Sequence, residues 1–111
     1  MNKTILTLAG CILLAANNPV SAAGTLCARS CATWIIHERE NEWPAFADQS
    51  WLAGYLSGKA VANNMDFLRN TDSPSLYLWV SNYCQSHQLE TIADAADELS
   101  IELARKKGLV Q

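Results

Sequence analysis

The sequence has few basic residues and no extended basic segment. Lysine and arginine total 8 against 11 aspartates and glutamates, and the one basic cluster, Arg105-Lys106-Lys107, lies near the C-terminus. Nucleic-acid-binding domains carry a basic patch that neutralises phosphates. With a formal charge of −3, the composition argues against a nucleic-acid partner.

Proline and glycine are also scarce. Three prolines, five glycines and 50% hydrophobic residues in a chain of 111 are typical of a folded protein rather than a disordered one. A chain of this length holds one small domain, which excludes most large enzyme folds.

No apolar run reaches the roughly 20 residues that a membrane span needs. The N-terminus instead has the parts of a secretory signal peptide: Lys3 supplies a positive charge, residues 4–16 are mostly apolar, and small residues precede Ala23. We therefore expect residues 1–23 to be a signal peptide, residues 24–111 to form a single helical domain, and the protein to be exported to the periplasm.

The segment Leu8-Ala9-Gly10-Cys11 within this leader also resembles a lipobox, at which bacterial lipoproteins are cut and lipidated on cysteine. Cys11 lies in the middle of the apolar run, which is early for such a cut, and the small residues further on form a second cleavage signal. Lipidation at Cys11 is the alternative to cleavage near Ala23.

Three cysteines follow the predicted leader: Cys27, Cys31 and Cys84. Export leads to an oxidising compartment, so two of them are expected to form a structural disulfide. Cys27 and Cys31 are four residues apart, where disulfide geometry is poor, so a long-range bond to Cys84 is favoured. A metal site from C-x3-C with His37 or His87 is the alternative, but this spacing matches no common zinc signature.

Apolar residues recur at helical spacing through the mature chain, and no segment shows the alternation of a strand. A first helix is predicted from its N-cap Ser30 to about Asn41, because Pro44 forbids continuation. A second helix follows from Ala45. The sequence Asp72-Ser73-Pro74 is a strong start signal for a third helix.

A fourth helix begins near Glu90 or Thr91 and stops at Gly108, with basic residues in its last turns. These elements predict an all-α fold, a small bundle of about four helices closed by one disulfide.

Gly54 and Gly58 lie on one stripe of the second helix, where each costs about 1 kcal/mol relative to alanine. We expect another helix to pack closely over that stripe.

Two places offer candidate contacts with a partner protein. Trp43, at the proline-containing corner, is the tryptophan expected to be exposed. The connection after the second helix contains Met65, Phe67 and Leu68 among polar turn formers, and these apolar residues are expected to fold back onto the body. We take all four residues as candidate partner contacts.

The sequence contains no nucleophile elbow, glycine-rich phosphate loop, metal-ligand cluster or paired-carboxylate motif. We therefore predict no enzyme activity and assign no catalytic residue, metal or cofactor. Four acids of the fourth helix are interpreted as a solvated face: Asp94, Asp97, Glu98 and Glu102.

Three motifs resemble the small exported proteins of the HdeA/HdeB type. They are Cys31-x2-Trp34, Trp51-Leu-Ala-Gly-Tyr-Leu-Ser-Gly58 and Trp79-Val-Ser-Asn-Tyr-Cys84-x2-His87-x-Leu89. The chain is also similar to periplasmic immunity proteins that inhibit type VI secretion amidases, which have a comparable Tyr-x-x-Gly helix and final helix. Either resemblance implies a non-enzymatic helical protein that binds other proteins, as a homodimer.

The HdeA/HdeB resemblance pairs Cys31 with Cys84 and leaves Cys27 free, or available for a bond between two copies. Closing that loop of about 54 residues would contribute roughly 4 kcal/mol in the chain-entropy model.

Two functions follow from these resemblances. As an acid-stress chaperone, the protein would expose apolar surface to unfolded clients when its carboxylates are protonated, below about pH 4. As an immunity protein, it would hold a rigid surface, such as the connection 63–73, against one effector enzyme.

Overall fold

The computed structural model describes residues 28–111. The predicted signal peptide, Cys11 and Cys27 lie outside the described residues.

Four helices make up the fold, in agreement with the all-α prediction. In chain order they are α1 Cys31–Glu40, α2 Trp43–Ala62, α3 Ser73–Ser86 and α4 Ile92–Lys106. Helix α1 packs mainly on α3, and α4 packs on α3 and α2. Residues 28–111 contain no strand, and an isolated bridge between Ser30 and Thr91 brings the starts of α1 and α4 together.

Short-range signals start three of the helices. Ser30 accepts a hydrogen bond from a first-turn backbone N–H of α1, and Asp72 does the same for α3. Thr91 and Asp94 form a reciprocal capping box at the start of α4. Each bond satisfies an N–H that has no partner within its helix, so these starts could be predicted from a few neighbouring residues.

The corner between α1 and α2 is tighter than predicted. Helix α1 ends at Glu40, and Asn41 takes a left-handed conformation with φ of 53°. Helix α2 then begins at Trp43, before the expected Ala45. Pro44 lies in its first turn, where the missing N–H is not needed and the fixed φ is already helical. The proline therefore starts α2 and does not exclude Trp43 from it.

One apolar core lies between the four helices. Its largest fully buried side chains come from all of them and are Trp34, Leu52, Leu56, Val80, Ile92 and Leu99. A disulfide joins Cys31 at the start of α1 to Cys84 near the end of α3, and both cysteines are buried in this core. The predicted pairing is thereby confirmed.

The expectation for Gly54 and Gly58 is wrong. Both glycines are exposed, and a Cβ atom at either would meet nothing within 4 Å. Helix α2 buries the side that carries Ala45, Leu52 and Leu56 instead. The prediction failed because α2 is apolar or small around most of its circumference, so the spacing of its residues does not mark one side as buried.

The connection between α2 and α3 folds back onto the body, as expected. Phe67 is 2% exposed and belongs to the core. The backbone N–H of Met65 donates to the carbonyl of Ala60 at 2.9 Å, and Asn64 and Asn70 adopt positive φ, which asparagine tolerates better than most residues. No helix among residues 28–111 has the length and apolarity required to cross a membrane.

Candidate partner-binding surface

The outward side of α2 is a strip of apolar and small residues, all exposed except the half-buried Ala47. Trp43 is 76% exposed, Phe46 48% and Val61 81%. We call this strip the α2 outer face, and it consists of Trp43, Phe46, Ala47, Ser50, Gly54, Ser57, Gly58 and Val61. At 3.6 residues per turn, all eight lie within about 60° of one line along the helix.

No charged side chain lies on the α2 outer face. The two charged residues of α2 are Asp48, which is buried, and Lys59, whose Nζ lies 3.2 Å from a carboxylate oxygen of Asp97 on α4. Exposed helix faces of globular proteins normally carry charged and polar residues. An exposed strip with aromatic residues at one end and no charge is typical of a surface that contacts another protein.

The four predicted partner contacts differ in their positions. Trp43 lies on the α2 outer face and is exposed, as expected. Met65 and Leu68 are half-buried against the core, while Phe67 is buried in it. Phe67 therefore offers no surface to a partner, because the connection that carries it turns inward.

A small cavity of about 190 Å³ lies beside this connection. Its lining residues are Lys59, Asn63, Met65, Phe67, Ser100, Ile101, Ala104 and Val110. Pockets for drug-sized ligands measure about 300 Å³ or more, and the one charged lining residue, Lys59, is already paired with Asp97. The cavity therefore does not point to a small-molecule ligand.

Asp48 is buried where α1, α2 and the segment before α1 meet. Its side chain is 3% exposed, His37 Nδ1 lies 2.6 Å from Oδ2, and Arg29 Nε lies 3.3 Å from Oδ1. Both carboxylate oxygens thus have a donor, as the burial of a charge requires. Asp48 holds α1 and the preceding segment against α2.

Two carboxylates of α4 bind the neighbouring helices. Asp97 accepts a hydrogen bond from the hydroxyl of Tyr55 on α2 at 2.7 Å. Glu102 accepts one from Nε1 of Trp79 on α3 at 2.8 Å. Helix α4 is therefore attached to both neighbours through its acidic residues.

The acidic residues of α4 keep contact with solvent, and the side chains of Asp97 and Glu102 are 46% and 37% exposed, but three of the four also make bonds that the sequence does not predict. Asp94 belongs to the capping box, and Asp97 and Glu102 bind other helices. Glu98 is exposed and makes no hydrogen bond or ion pair within residues 28–111. Helical spacing placed these acids near the surface, but it could not show which aromatic donors would reach them.

Two further carboxylates belong to the last turn of α1 and to the connection between α3 and α4. Glu38 of α1 accepts hydrogen bonds from Gln49 Nε2 at 2.9 and 3.2 Å, and its partial burial raises its pKa. Glu90, between α3 and α4, accepts from the Tyr83 hydroxyl at 2.6 Å. That hydrogen bond raises the pKa of Tyr83 to about 12, because it stabilises the protonated phenol.

Among residues 28–111, six residue pairs thus join separate elements by a side-chain hydrogen bond to a carboxylate. We call them the carboxylate bonds: Arg29–Asp48, His37–Asp48, Gln49–Glu38, Tyr55–Asp97, Trp79–Glu102 and Tyr83–Glu90. A seventh pair, Trp34 Nε1 to the Ser81 hydroxyl at 2.9 Å, uses a neutral acceptor. Side-chain hydrogen bonding between these elements therefore uses mainly carboxylate acceptors.

The carboxylate bonds were not predicted from the sequence. Two signals could have indicated them: Asp48 falls on the same helical side as the core residue Leu52, and buried tyrosines and tryptophans usually find a hydrogen-bond partner. The identity of each partner could not be predicted, because Tyr55 and Asp97 are 42 residues apart.

Within the described part of the chain, no three His, Cys, Asp or Glu side chains come together in a group that could hold a metal ion.

No protein-family model, curated protein or solved structure matches this chain. The resemblance to HdeA/HdeB-type proteins and to immunity proteins therefore stays a prediction from short motifs. The fold and surface define a small disulfide-closed helical protein with an uncharged exposed face, and its function has to be inferred from that geometry.

Proposed function

We propose that this chain is an exported, non-enzymatic protein that binds unfolded proteins in the periplasm when acid opens its helical bundle. The resemblance to HdeA/HdeB-type proteins motivates this function. The observation that carries it is the set of carboxylate bonds, because acid acts directly on their acceptors.

Protonation weakens hydrogen bonds of this kind. An ionised carboxylate accepts charge-assisted bonds that are roughly twice as strong as neutral ones. Side-chain carboxyls as a class titrate near pH 4. Protonation of Asp97 and Glu102 would weaken the attachment of α4, and protonation of Asp48 would weaken the attachment of α1 to α2.

Acid also reverses the net charge. Without residues 1–23 the chain has 7 basic residues and 11 acids, a charge of −4, whereas protonation of every acid and both histidines gives +9. Self-repulsion at this charge destabilises a compact state, so it adds to the weakening of the individual bonds.

Two carboxyls with shifted pKa values act in opposite directions. The hydrogen bond from the Ser75 hydroxyl lowers the pKa of Asp72, so this cap of α3 stabilises the fold above the unfolded pKa and less as pH falls through the folded value. Burial raises the pKa of Glu38, so its contribution is present in acid and is lost as pH rises through the folded value. Asp72 favours opening in acid, and Glu38 opposes it.

The disulfide determines which parts separate. Cys31–Cys84 ties α1 to α3 at any pH, whereas α4 is attached to α2 and α3 by Asp97 and Glu102. We therefore expect α2 and α4 to loosen while α1 and α3 stay joined, which exposes buried apolar residues without complete unfolding.

The test is a titration of the mature protein from pH 7 to 2, with binding of an apolar dye and suppression of client aggregation as measurements. Apolar exposure and client binding are expected below about pH 4. The double variant Asp97→Asn, Glu102→Gln should respond less to pH, since amide oxygens accept hydrogen bonds at every pH.

The matched control is Glu98→Gln, which removes the same kind of charge from α4 at an exposed position that makes no bond to another helix. It should respond to pH as the unmodified protein does. A protein that binds neither dye nor client across the whole range would contradict the chaperone function.

The connection between α2 and α3 favours a second candidate, an immunity or inhibitor protein. It presents exposed Asp66 and Arg69 on a backbone held by the buried Phe67. A rigid loop of this kind suits one effector enzyme better than many unfolded clients. Pull-down at neutral pH tests it: capture of one tight partner, lost in Arg69→Ala, would support this candidate.

A further inference from the structure

We propose that the α2 outer face binds a second copy of this chain at neutral pH, with the two α2 helices antiparallel about a two-fold axis at the level of Leu52. This proposal specifies an interface for the homodimer that the resemblance implies. It does not rest on activation by acid.

The order of residues along the α2 outer face is complementary to itself. In an antiparallel pair centred on position 52, each residue faces the one whose number adds to 104. The facing pairs are Trp43–Val61, Phe46–Gly58, Ala47–Ser57 and Ser50–Gly54. The aromatic rings at one end of the helix therefore meet Val61 and Gly58 at the other, as an interface between two identical surfaces requires.

Gly54 and Gly58 have no packing role within the described part of the chain. Both are exposed with nothing within 4 Å of a Cβ position, although glycine inside a helix destabilises it. In the antiparallel pair these positions let two helix backbones approach to the short end of the usual 8–10 Å range. The ring of Phe46 from one copy then lies over Gly58 of the other.

The charge distribution favours a second copy as the occupant. The mature chain carries −4 at neutral pH, so two copies repel each other wherever their acids meet. The α2 outer face is free of charge, and Asp48 and Lys59 bond to residues outside it. Antiparallel helices also place the positive N-terminal end of one dipole beside the negative C-terminal end of the other.

The area of the face is small for a protein–protein interface. A helix of 20 residues is about 30 Å long and about 11 Å wide with its side chains, which gives roughly 330 Å² in projection. Standard interfaces bury about 800 Å² per partner. The pair is therefore a reversible dimer, with a dissociation constant on the order of micromolar or weaker.

The first test is sedimentation equilibrium of the mature protein at pH 7 over a range of concentrations. Gly54→Glu places a carboxylate at the centre of the face and should raise the dissociation constant about tenfold or more. Asn82→Glu adds the same charge at an exposed position of α3 and should leave the constant within about threefold. Circular dichroism establishes that both variants keep their helices.

The second test is disulfide cross-linking in a Cys27→Ser background. Ala47→Cys and Ser57→Cys chains should cross-link when mixed, because positions 47 and 57 face each other. Each variant alone should cross-link poorly, since its two cysteines would lie about 15 Å apart along the axis.

Three results would overturn the proposal. They are a monomer at every concentration, a dimer weakened equally by Gly54→Glu and Asn82→Glu, or cross-linking of Ala47→Cys chains alone in preference to the mixture. All measurements are at neutral pH, so this failure is distinct from a failure to bind clients in acid.

Discussion

The carboxylate of Glu90 raises the pKa of its hydrogen-bond partner, Tyr83. The hydroxyl donates to Glu90, and the ring stacks on Trp79 and His87 with centroid distances of 5.5 and 3.9 Å. Because its pKa is raised to about 12 from the usual 10.0, the bond stabilises the fold below pH 10 and loses this effect as pH rises towards 12. Strong base therefore removes the stabilising effect of the bond between Tyr83 and Glu90.

Glu90→Gln should lower the pKa of Tyr83 from about 12 towards 10.0, because the amide carries no negative charge and is a weaker acceptor. Near-ultraviolet absorbance follows phenolate formation, and Tyr83→Phe identifies which titration belongs to this residue. Identical titration curves for Glu90→Gln and the unmodified protein would show that the bond does not control the phenol.

At the scale of secondary structure, α2 differs from its neighbours because both its inner and its outer sides are apolar or small. Leu52 and Leu56 are buried in the core, while Trp43 and Val61 are exposed on the opposite side. The exposed glycines on that side weaken the helix without filling any contact inside the monomer. A substitution at these glycines can therefore change the stability of the helix without disturbing the core.

Gly54→Ala should raise the free energy of unfolding by about 0.5–1 kcal/mol, because alanine loses less backbone entropy in a helix. Urea unfolding at concentrations where the protein is monomeric measures it. Ala53→Gly, one residue earlier in the same helix, is the matched control and should lower the stability by at least a similar amount. A loss of stability in Gly54→Ala would mean that the glycine has a packing role.

At the scale of the whole molecule, two kinds of attachment hold the helices together. The disulfide Cys31–Cys84 spans 53 residues and does not respond to pH. The carboxylate bonds join α4 and α2 to the rest through ionisable acceptors. Under the proposed function, acid would weaken these bonds while the disulfide keeps α1 joined to α3.

The double variant Cys31→Ser, Cys84→Ser should lose about 4 kcal/mol of stability in the chain-entropy model, since the bond closes most of the described chain into one loop. Such a loss is a large part of the stability of a small domain. Urea unfolding at pH 7 measures it, with Cys27→Ser as the control. A double variant within about 1 kcal/mol of the control would contradict this account.

The sequence by itself determined the helical class, the positions of three helix starts and the presence of a long-range disulfide. Ser30 and Asp72 were identifiable because a cap bonds to a backbone N–H within a few residues. The disulfide could be expected because the predicted export and the cysteine spacing leave few possible pairings.

Only the tertiary structure decided which side of α2 is buried, that Phe67 is buried too fully to contact a partner, and which donors the acids of α4 bind. The bond between Tyr55 and Asp97 joins residues 42 positions apart, so neither residue's neighbours reveal it. The buried side of α2 was undetermined for a related reason: a helix whose two sides are both apolar takes its orientation from the helices packed against it. Hydrogen bonds between neighbouring residues determine where the helices begin, whereas the packing of the helices against one another determines which residues stay exposed to a partner.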